Sequence, residues 1–323
     1  MKKYIIPCVL ALVALLGTAC EKVIEFKGEI ADPRLTISAE ALAGEPFPVY
    51  VASSVFFLQR VVDGKAYYEN LDTLRGEVRC FVNGSQLSKR MVLQPLETSI
   101  NSLCYLAEDY EPAPGDHIRL EAEFPGFDPV WAETDVPLLP QLDIVSIGEW
   151  KLMEKSWEGE PDYYEVEMTL RVTDDGSYEK YYCLQPIAGY HYTPTGSDLV
   201  QVLQFKSSDI IFQQVDVSAF QRFDFQTGEA LAVNYFPDDM FKGTSYEFKI
   251  QLLRVPAQED LHMLGLRIST VNESLYWYDM SYSQQEFQLN IFAEGVTLYS
   301  NVQGGYGVLC AAAPRWIDIL VEW

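Results

Sequence analysis

The chain has 323 residues, of which 47 are acidic and 23 basic, so its formal net charge is −24. A field of that sign repels phosphate backbones and anionic lipid head groups, so nucleic acid is excluded as an expected partner and membrane contact is expected only through a lipid anchor. Aromatic residues make up 13% of the chain, and with many β-branched residues and no long amphipathic helical pattern they predict an all-β protein of two domains.

Residues 1–19 have the pattern of a secretory signal peptide. Two lysines precede an apolar run over residues 5–16, which is shorter than the roughly 20 residues of a membrane span. The stretch from Leu16 to Cys20 resembles a bacterial lipobox, in which the signal is cut before a cysteine that carries acyl chains such as palmitate. Cys20 is therefore the predicted lipidation site, and an ordinary secretory signal with an incidental cysteine is the alternative.

Residues 20–32 are predicted to form the lipidated tether. Glu21 and Glu25 follow the cysteine closely, which resembles the surface-export signals of Bacteroidota-type lipoproteins, while a solvated linker is the alternative. We expect a lipid-anchored protein of the outer membrane that faces the cell exterior.

Residues 33–138 are predicted to form an immunoglobulin-like β-sandwich. Short strand patterns alternate with turn signals such as Asn83-Gly84 about every 8 to 12 residues. Apolar and polar residues alternate strictly over residues 117–123, so His117 should lie on the wet face of that strand. A long loop is expected over residues 56–74, and strands are predicted over residues 35–39, 48–54, 77–83, 91–96, 103–107 and 118–124.

Residues 139–323 are predicted to form a larger C-terminal β-sandwich domain. It follows an extended linker over residues 134–140, which two prolines interrupt. One helix is expected over residues 273–285, with Asn272 as its N-cap. The predicted strands of this domain span residues 142–150, 164–172, 181–185, 201–206, 210–215, 231–235, 246–254, 264–271 and 316–321, and a further strand is expected around residues 304–307.

Beyond the signal and the lipid site there are four cysteines, Cys80, Cys104, Cys183 and Cys310. None is spaced as Cys-x-x-Cys, so zinc and redox motifs are unsupported, and an exported protein can oxidise its thiols. We predict a Cys80–Cys104 disulfide, because both residues lie on apolar strand faces within one domain. Cys183 and Cys310 are the weaker candidate pair.

The sequence carries no catalytic, metal or cofactor motif. Its three histidines are not paired at metal-ligand spacing, and it has no Gly-x-Ser-x-Gly elbow, so we expect a protein that is not an enzyme and has no cofactor. Asp174 and Asp175 are expected on the solvated surface, with calcium binding as the alternative. The glycine-rich residues 304–307 lack the lysine and helix of a phosphate loop and are interpreted as a tight hairpin.

The segment that most suggests binding is residues 189–196, where Tyr190, His191 and Tyr192 stand beside glycine and proline. Exposed rings in a loop could contact a sugar, a peptide or a partner protein. The alternative is that the two tyrosines pack back on the sandwich. Trp150 and Trp157 are further contact candidates, with the same alternative.

Four segments of the C-terminal half stand in a characteristic order: residues 166–182, residues 236–246, the tyrosine-rich helix, and residues 300–309. In that order they resemble the domain of unknown function 4249 family. The resemblance implies a Bacteroidota-type outer-membrane lipoprotein, often encoded beside a TonB-dependent outer-membrane transporter, with no assigned enzyme activity and no catalytic residues to carry over.

These observations predict an outer-membrane lipoprotein that binds a nutrient for a TonB-dependent transporter or forms a lid over it. The alternative is a surface adhesin or a structural lipoprotein.

Overall fold

The computed structural model describes residues 32–54, 76–88, 91–95, 103–107, 109–154, 162–192, 197–212, 221–223, 230–257, 261–287 and 297–320. The chain from Pro33 onward forms one compact unit. Cys20, the predicted tether up to residue 31 and the predicted loop over residues 56–74 lie outside the described residues. Within the described part, no helix combines the length and the hydropathy that crossing a membrane requires.

The described residues form twenty strands, one α-helix, α1 (Glu273–Phe287), and a short 3₁₀ helix (Ile210–Phe212). The strands of the N-terminal part are β1 (Leu35–Leu42), β2 (Pro48–Ser53), β3 (Glu77–Val82), β4 (Ser85–Gln86), β5 (Val92–Pro95), β6 (Leu103–Leu106), β7 (His117–Glu123) and β8 (Val130–Asp135). The later strands are β9 (Gln141–Ile147), β10 (Lys151–Leu152), β11 (Tyr163–Thr173), β12 (Tyr181–Tyr192), β13 (Ser197–Val202), β14 (Phe205–Lys206), β15 (Gln221–Phe223), β16 (Ala230–Ala232), β17 (Tyr235–Pro237), β18 (Ser245–Pro256), β19 (Leu261–Val271) and β20 (Tyr306–Asp318).

The described strands form three main sheets and one two-stranded ribbon, β15-β16. The large sheet has nine strands in the order β13-β12-β19-β20-β1-β2-β6-β5, with β17 also paired to β12. The five-stranded sheet has the order β10-β11-β18-β14, with β9 beside β11, and the four-stranded sheet has the order β4-β3-β7-β8. In the large sheet β1 pairs with β20 in parallel, whereas it pairs with β2 in the antiparallel sense.

Two hydrophobic cores lie on one face of the large sheet. In the first, Ile37 of β1 packs with Leu120 of the four-stranded sheet. In the second, Leu184 of β12 packs with Leu170 of the five-stranded sheet. The chain is therefore an all-β protein built from packed sheets, and the prediction of an all-β sandwich fold is confirmed.

A third core covers the opposite face of the large sheet. Alternate residues of β20, Val308, Cys310 and Ala312, cluster with Leu275 and Tyr278 of α1. Side chains of a strand alternate between the faces, so β20 contributes to cores on both sides of the sheet. The helix thus shields a sheet face that would otherwise be wet.

Strands from both sides of the predicted domain boundary meet in the large sheet. Its centre is the pair β1–β20, in which Thr36 lies opposite Tyr306 and Leu42 lies opposite Ala312. The division into domains at residues 33–138 and 139–323 stays a prediction. The first and second cores do separate near it, but one sheet supports both.

Several local predictions are confirmed. Asn83 and Gly84 have positive φ values of 52° and 78° and connect β3 to β4, as a two-residue hairpin turn requires. The alternation in β7 buries every second residue and leaves His117 exposed. Asn272 caps α1, since its Oδ1 accepts a hydrogen bond from the Leu275 backbone N–H at 3.0 Å.

Three local predictions are wrong. The linker was predicted to start at residue 134, but β8 continues to Asp135, which lies opposite His117 of β7. Residues 210–212 of a predicted strand form the 3₁₀ helix. The glycine-rich residues 304–307 do not form a hairpin; they lead into β20, where a Cβ on Gly307 would lie 2.0 Å from the Ile37 carbonyl oxygen. Glycine is required there because the two backbones approach so closely.

Candidate functional site

The aromatic segment that suggested binding is a strand through Tyr192, so its prediction as a loop is wrong. Residues 181–192 form β12, which pairs with β19 on one side and with β13 on the other. Tyr190 is only 5% exposed and belongs to the second core. His191 points to the opposite face, where its Nδ1 lies 2.9 Å from Oδ1 of Asp198. The alternative that Tyr190 packs on the sandwich therefore holds.

The remaining contact candidates are Trp150, Trp157 and Tyr192. Trp150 is half-buried and packs against the second core from its rim. Trp157 lies outside the described residues, and so does the side chain of Tyr192. Their role in contact stays a prediction.

Tyr190 lines a groove of about 470 Å³, which we call the edge groove. The groove lies where the chain crosses from β13 of the large sheet to the five-stranded sheet, and the crossing is fixed by a 3.0 Å hydrogen bond from the Leu253 N–H to the Gln204 carbonyl oxygen. Its volume falls in the range of small-ligand sites. The lining residues are Tyr163, Tyr190, Leu199, Gln201, Val202, Leu203, Gln204, Leu253 and Arg254.

A β-bulge in β18 places Arg254 at this groove. The register of β11 and β18 shifts between Tyr164 and Val166, so two residues of β18, Leu253 and Arg254, oppose one residue of β11. A bulge bends its strand and turns the extra side chain in a new direction. Arg254 also has a φ of 52°, a left-handed conformation that costs a residue with a Cβ about 1–3 kcal/mol and is found preferentially at binding sites.

The guanidinium of Arg254 is held against an aromatic ring. Its Cζ lies 4.6 Å from the ring centroid of Tyr163, a cation–π distance. Stacking of this kind leaves the N–H donors of the guanidinium directed outward in its plane, where they match a carboxylate or phosphate. The pair therefore places a stacked guanidinium at the mouth of the groove.

Gln201 adds an amide side chain to the lining of the groove. The hydroxyl of the buried Tyr190 donates a 2.8 Å hydrogen bond to Oε1 of Gln201. Because the amide oxygen accepts that bond, the amide orientation is fixed and the NH₂ end, which only donates, is directed elsewhere. Tyr190 thus orients the Gln201 amide, and a contact of Tyr190 with a ligand or partner stays a prediction.

The charge of the groove contrasts with that of the whole chain. The formal net charge of the chain is −24. Among the described residues that line the groove, Arg254 carries a charge and none is acidic. The walls are otherwise apolar, from Leu199, Leu203 and Leu253. The groove therefore combines apolar walls with one guanidinium.

Sequence reasoning missed Arg254, Tyr163 and Gln201 as groove residues. Arg254 does stand at the end of a predicted strand, just before Val255-Pro256, and a charged residue between apolar strand residues is a visible signal. Its placement depends on the bulge, however, and the bulge depends on the register with β11.

The four described cysteines are buried and none of them forms a disulfide in the structure, so the predicted Cys80–Cys104 bond is not formed. Cys80 belongs to the first core, and so does Tyr105 of β6. Because successive side chains of a strand point to opposite faces, Cys104 faces the other side of β6. Cys183 and Cys310 share the third core, but β19 lies between their strands. Two strand spacings are about 9.6 Å, too far for a disulfide.

A buried ion cluster replaces the solvated surface expected at Asp174. Lys180 is 4% exposed, and its Nζ lies 2.8 Å from Oδ2 of Asp174 and also contacts Asp175. Burial alone would raise the pKa of Asp174, but the ammonium, two backbone N–H groups and the Tyr182 hydroxyl hold that pKa below its usual value. The lysine occupies the place where the alternative needed calcium, and the described residues contain no group of three or more metal-ligating side chains.

A second carboxylate, Asp238, is fully buried near this cluster. Neither of its oxygens accepts a hydrogen bond within the described residues, and burial raises its pKa. A buried carboxylate without a donor is a cost to folding, so the cluster contains both a satisfied acid and an unsatisfied one.

Comparison with known protein families gives one match. Residues 21–315 match the family described as a domain of unknown function, DUF4249. No curated protein matches the chain.

Proposed function

We propose, because the chain belongs to the DUF4249 family, that it is a surface lipoprotein of the outer membrane that holds a nutrient ligand for a TonB-dependent transporter. The role is non-enzymatic. The protein supplies a binding site and a tethered position, and the transporter supplies the path across the membrane.

The edge groove is the observation that carries this proposal. It joins an oriented arginine, an oriented amide and apolar walls in a volume of about 470 Å³. A strained Arg254 conformation at the groove supports a binding role, because strain of this kind is usually retained where it serves a ligand.

The proposed anchor is Cys20, joined to the folded unit by the predicted tether. About a dozen extended residues reach at most ~40 Å, so a ligand-bound domain would stay at high effective concentration near its transporter. Each buried methylene contributes about 0.8 kcal/mol, and two or more acyl chains would hold the protein stably. Replacing Cys20 with Ala should release the protein from membranes, and full membrane recovery of that variant would reject the anchor.

The main test is recovery of the tagged protein from detergent-solubilised native membranes. We expect a TonB-dependent transporter to copurify and growth-supporting uptake of its substrate to fall when the lipoprotein is deleted. Arg254→Gln should reduce uptake, because the groove loses its positive charge. Arg171→Gln is the matched control, since Arg171 is a half-exposed arginine of β11 that pairs with Glu247 and does not line the groove.

Alanine at Tyr190 is not a clean test of binding. The ring is buried in the second core, so its removal would leave a cavity and cost about 3–5 kcal/mol of stability. If the lipoprotein is recovered alone and its deletion leaves uptake by every neighbouring transporter intact, the adhesin alternative replaces this proposal.

A further inference from the structure

The helix α1 covers only part of the sheet face on which it packs. It shields Cys310 and Ala312 of β20, but further along the strand Trp316 is 37% exposed and Asp318 is exposed as well. Trp316 and Asp318 lie on the helix side of the sheet, because Ile317 between them packs against the second core on the other side. We call this part of the sheet, beyond the end of α1, the open face.

A glycine holds the Trp316 ring close to the sheet. Gly265 of β19 lies opposite Asp318, and a Cβ on Gly265 would lie 2.3 Å from Cζ2 of Trp316. The six-membered ring of the indole therefore rests over Gly265, where a larger residue would displace it. The indole Nε1–H also donates a 2.6 Å hydrogen bond to Oδ1 of Asp318, which fixes the ring at a second point. The open face thus presents a tryptophan ring that is oriented before any ligand binds.

A second ring is held to the open face in the same way. A Cβ on Gly189 of β12 would lie 2.6 Å from Nε2 of the exposed His262. Gly189 faces away from the second core, because its neighbour Tyr190 packs in that core. Ile187 lies opposite Gly265 and two residues before Gly189, so the two glycines are diagonal neighbours roughly 7–8 Å apart. Two rings therefore stand over two adjacent glycines.

Charged side chains border the two rings. Arg267 lies opposite Trp316, and its Nη2 lies 3.6 Å from Oε1 of Glu45. At the β13 end of the face, Nδ1 of His191 lies 2.9 Å from Oδ1 of Asp198. The open face therefore combines ring surface with groups that donate and accept hydrogen bonds.

We infer that the open face binds a neutral oligosaccharide, with one pyranose ring stacked on Trp316 and its hydroxyls hydrogen-bonded to Asp318. The C–H groups of a pyranose form an apolar surface that packs on an aromatic ring. Its hydroxyls donate to the carboxylate, which has a second oxygen besides the one that accepts the indole bond. From β20 to β13 the face spans three strand spacings, about 14 Å, which is wider than one sugar ring. This site is separate from the edge groove, whose Tyr190 faces the second core, so the inference goes beyond the proposed function.

The charges of the open face favour a neutral sugar over a protein partner or an acidic glycan. The core of a protein interface is depleted in charged residues, whereas the Trp316 ring is bordered by Arg267 and Asp318. An acidic glycan is repelled by a chain of net charge −24. A neutral sugar carries many hydroxyls and no charge, so it can use both signs of charge on this face.

The test uses the purified full-length chain and four immobilised neutral hexasaccharides: maltohexaose, cellohexaose, mannohexaose and xylohexaose. Hexagalacturonate is the acidic control. Surface plasmon resonance measures the Kd for each. We expect the wild type to bind at least one neutral hexasaccharide and to bind hexagalacturonate more weakly than that one.

Variants of the ring and the carboxylate locate the site. Trp316→Ala should weaken binding roughly tenfold, as expected for loss of a stacked ring, and Trp316→Phe should recover part of that loss because it keeps a ring. Asp318→Ala should also weaken binding, because the carboxylate is lost. Trp277→Ala is the matched control and should leave binding unchanged. Trp277 is 42% exposed and its Nε1–H also donates to a carboxylate, that of Glu273 at 3.2 Å, but it lies on α1.

Thermal melts of each variant separate loss of binding from loss of folding. Asp318 is exposed, so Asp318→Ala should melt close to the wild type and still bind less sugar. Failure of the wild type to bind any neutral hexasaccharide, equal binding by Trp316→Ala, or an equal loss in Trp277→Ala would overturn the inference. A concentration-dependent dimer that Trp316→Ala abolishes, without sugar binding, would assign the open face to a second copy of the chain and overturn it too.

This inference and the proposed function fail in different experiments. If no hexasaccharide binds but Arg254→Gln still reduces uptake, the open-face inference is wrong and the proposed function stands. If a neutral hexasaccharide binds through Trp316 but no transporter copurifies, the inference stands and the proposed function is wrong.

Discussion

Replacing Lys180 with Met should destabilise the protein much more than replacing an exposed basic residue of an ion pair. The Lys180 ammonium is buried, with its Nζ 2.8 Å from Oδ2 of Asp174, and the Asp174 side chain has no exposed surface. Methionine fills most of the space of the lysine stem but leaves Asp174 charged and without its cation.

The size of the effect follows from what remains around Asp174. Removing one partner of a buried ion pair costs about 3–5 kcal/mol. The lower end applies here, because the backbone N–H groups of Gly176 and Gly243 still donate to Oδ1 at 2.7 and 2.8 Å, and the Tyr182 hydroxyl still donates to Oδ2 at 3.0 Å. We therefore expect a loss of about 3 kcal/mol.

The dependence on pH has a definite sign. The pKa of Asp174 is lowered by the ammonium and its other donors against the effect of burial, so the pair stabilises the fold above the unfolded pKa of about 3.9 and the stabilisation is lost as the pH falls through the folded pKa. The pKa of Lys180 is raised by its carboxylate partners against the effect of burial, so its contribution persists until the pH rises through that raised value. The difference between wild type and Lys180→Met should be largest between about pH 5 and pH 9.

Urea denaturation followed by tryptophan fluorescence measures this difference. Arg171→Met is the matched control, because Arg171 and Glu247 form a pair with side chains 44% and 49% exposed, worth about 0–1 kcal/mol. The double variant Lys180→Met, Asp174→Asn should lose less stability than the two single variants together, since Asp174 no longer leaves an uncompensated charge. A Lys180→Met loss below about 1 kcal/mol at pH 7, or a loss that does not shrink at pH 3, would refute the reasoning.

Three further outcomes are expected. Asp238→Asn should stabilise the fold at pH 7 by about 1–3 kcal/mol, because burial raises the pKa of that carboxyl and neither oxygen accepts a hydrogen bond within the described residues. The gain should disappear as the pH falls through the raised pKa, which thermal melts at pH 7 and pH 3.5 compare. Burial raises the pKa of the Cys80 thiol to about 12, so a thiol reagent should modify it only after unfolding, and equal labelling rates in buffer and in urea would contradict this. Gly307→Ala should cost more than about 3 kcal/mol by urea denaturation, because its Cβ would lie 2.0 Å from the Ile37 carbonyl oxygen, whereas Gly84→Ala, with no atom within 4 Å of the added Cβ, should cost about 1 kcal/mol.

Features set by neighbours in sequence could be predicted from the sequence. The N-cap at Asn272 and the turn at Asn83-Gly84 depend on residues within one turn of chain, and the structure has both. The alternation from His117 onward likewise predicted the buried face of β7. The strand β8 carries the same alternating burial, but the nearby prolines favoured a linker.

Features set by strand order could not be predicted in the same way. Gly189 indicated a loop, yet it lies within β12. Glycine suits this strand position because a Cβ there would lie 2.6 Å from Nε2 of His262. Glycine in that strand marks a close approach, not a turn. The pairing of Cys183 with Cys310 fails for a similar reason, since only the topology shows that β19 separates them.

The candidate site was predicted only in part. Tyr190 was identified for its aromatic character, and it does line the edge groove, but as a buried support for Gln201. Arg254 reaches the groove through a bulge opposite β11, some 90 residues earlier in the chain. No local pattern encodes that register, so the charged residue of the groove becomes visible only with the fold.

The parallel pair at the centre of the large sheet has a consequence for how the chain folds during synthesis. Contacts such as that between Cys310 Sγ and the Ala39 carbonyl oxygen join residues 271 positions apart, and contacts of such long sequence separation slow folding. Until β20 emerges, β1 is left with an open side, an edge that invites aggregation. Truncation before residue 306 should therefore leave an insoluble product.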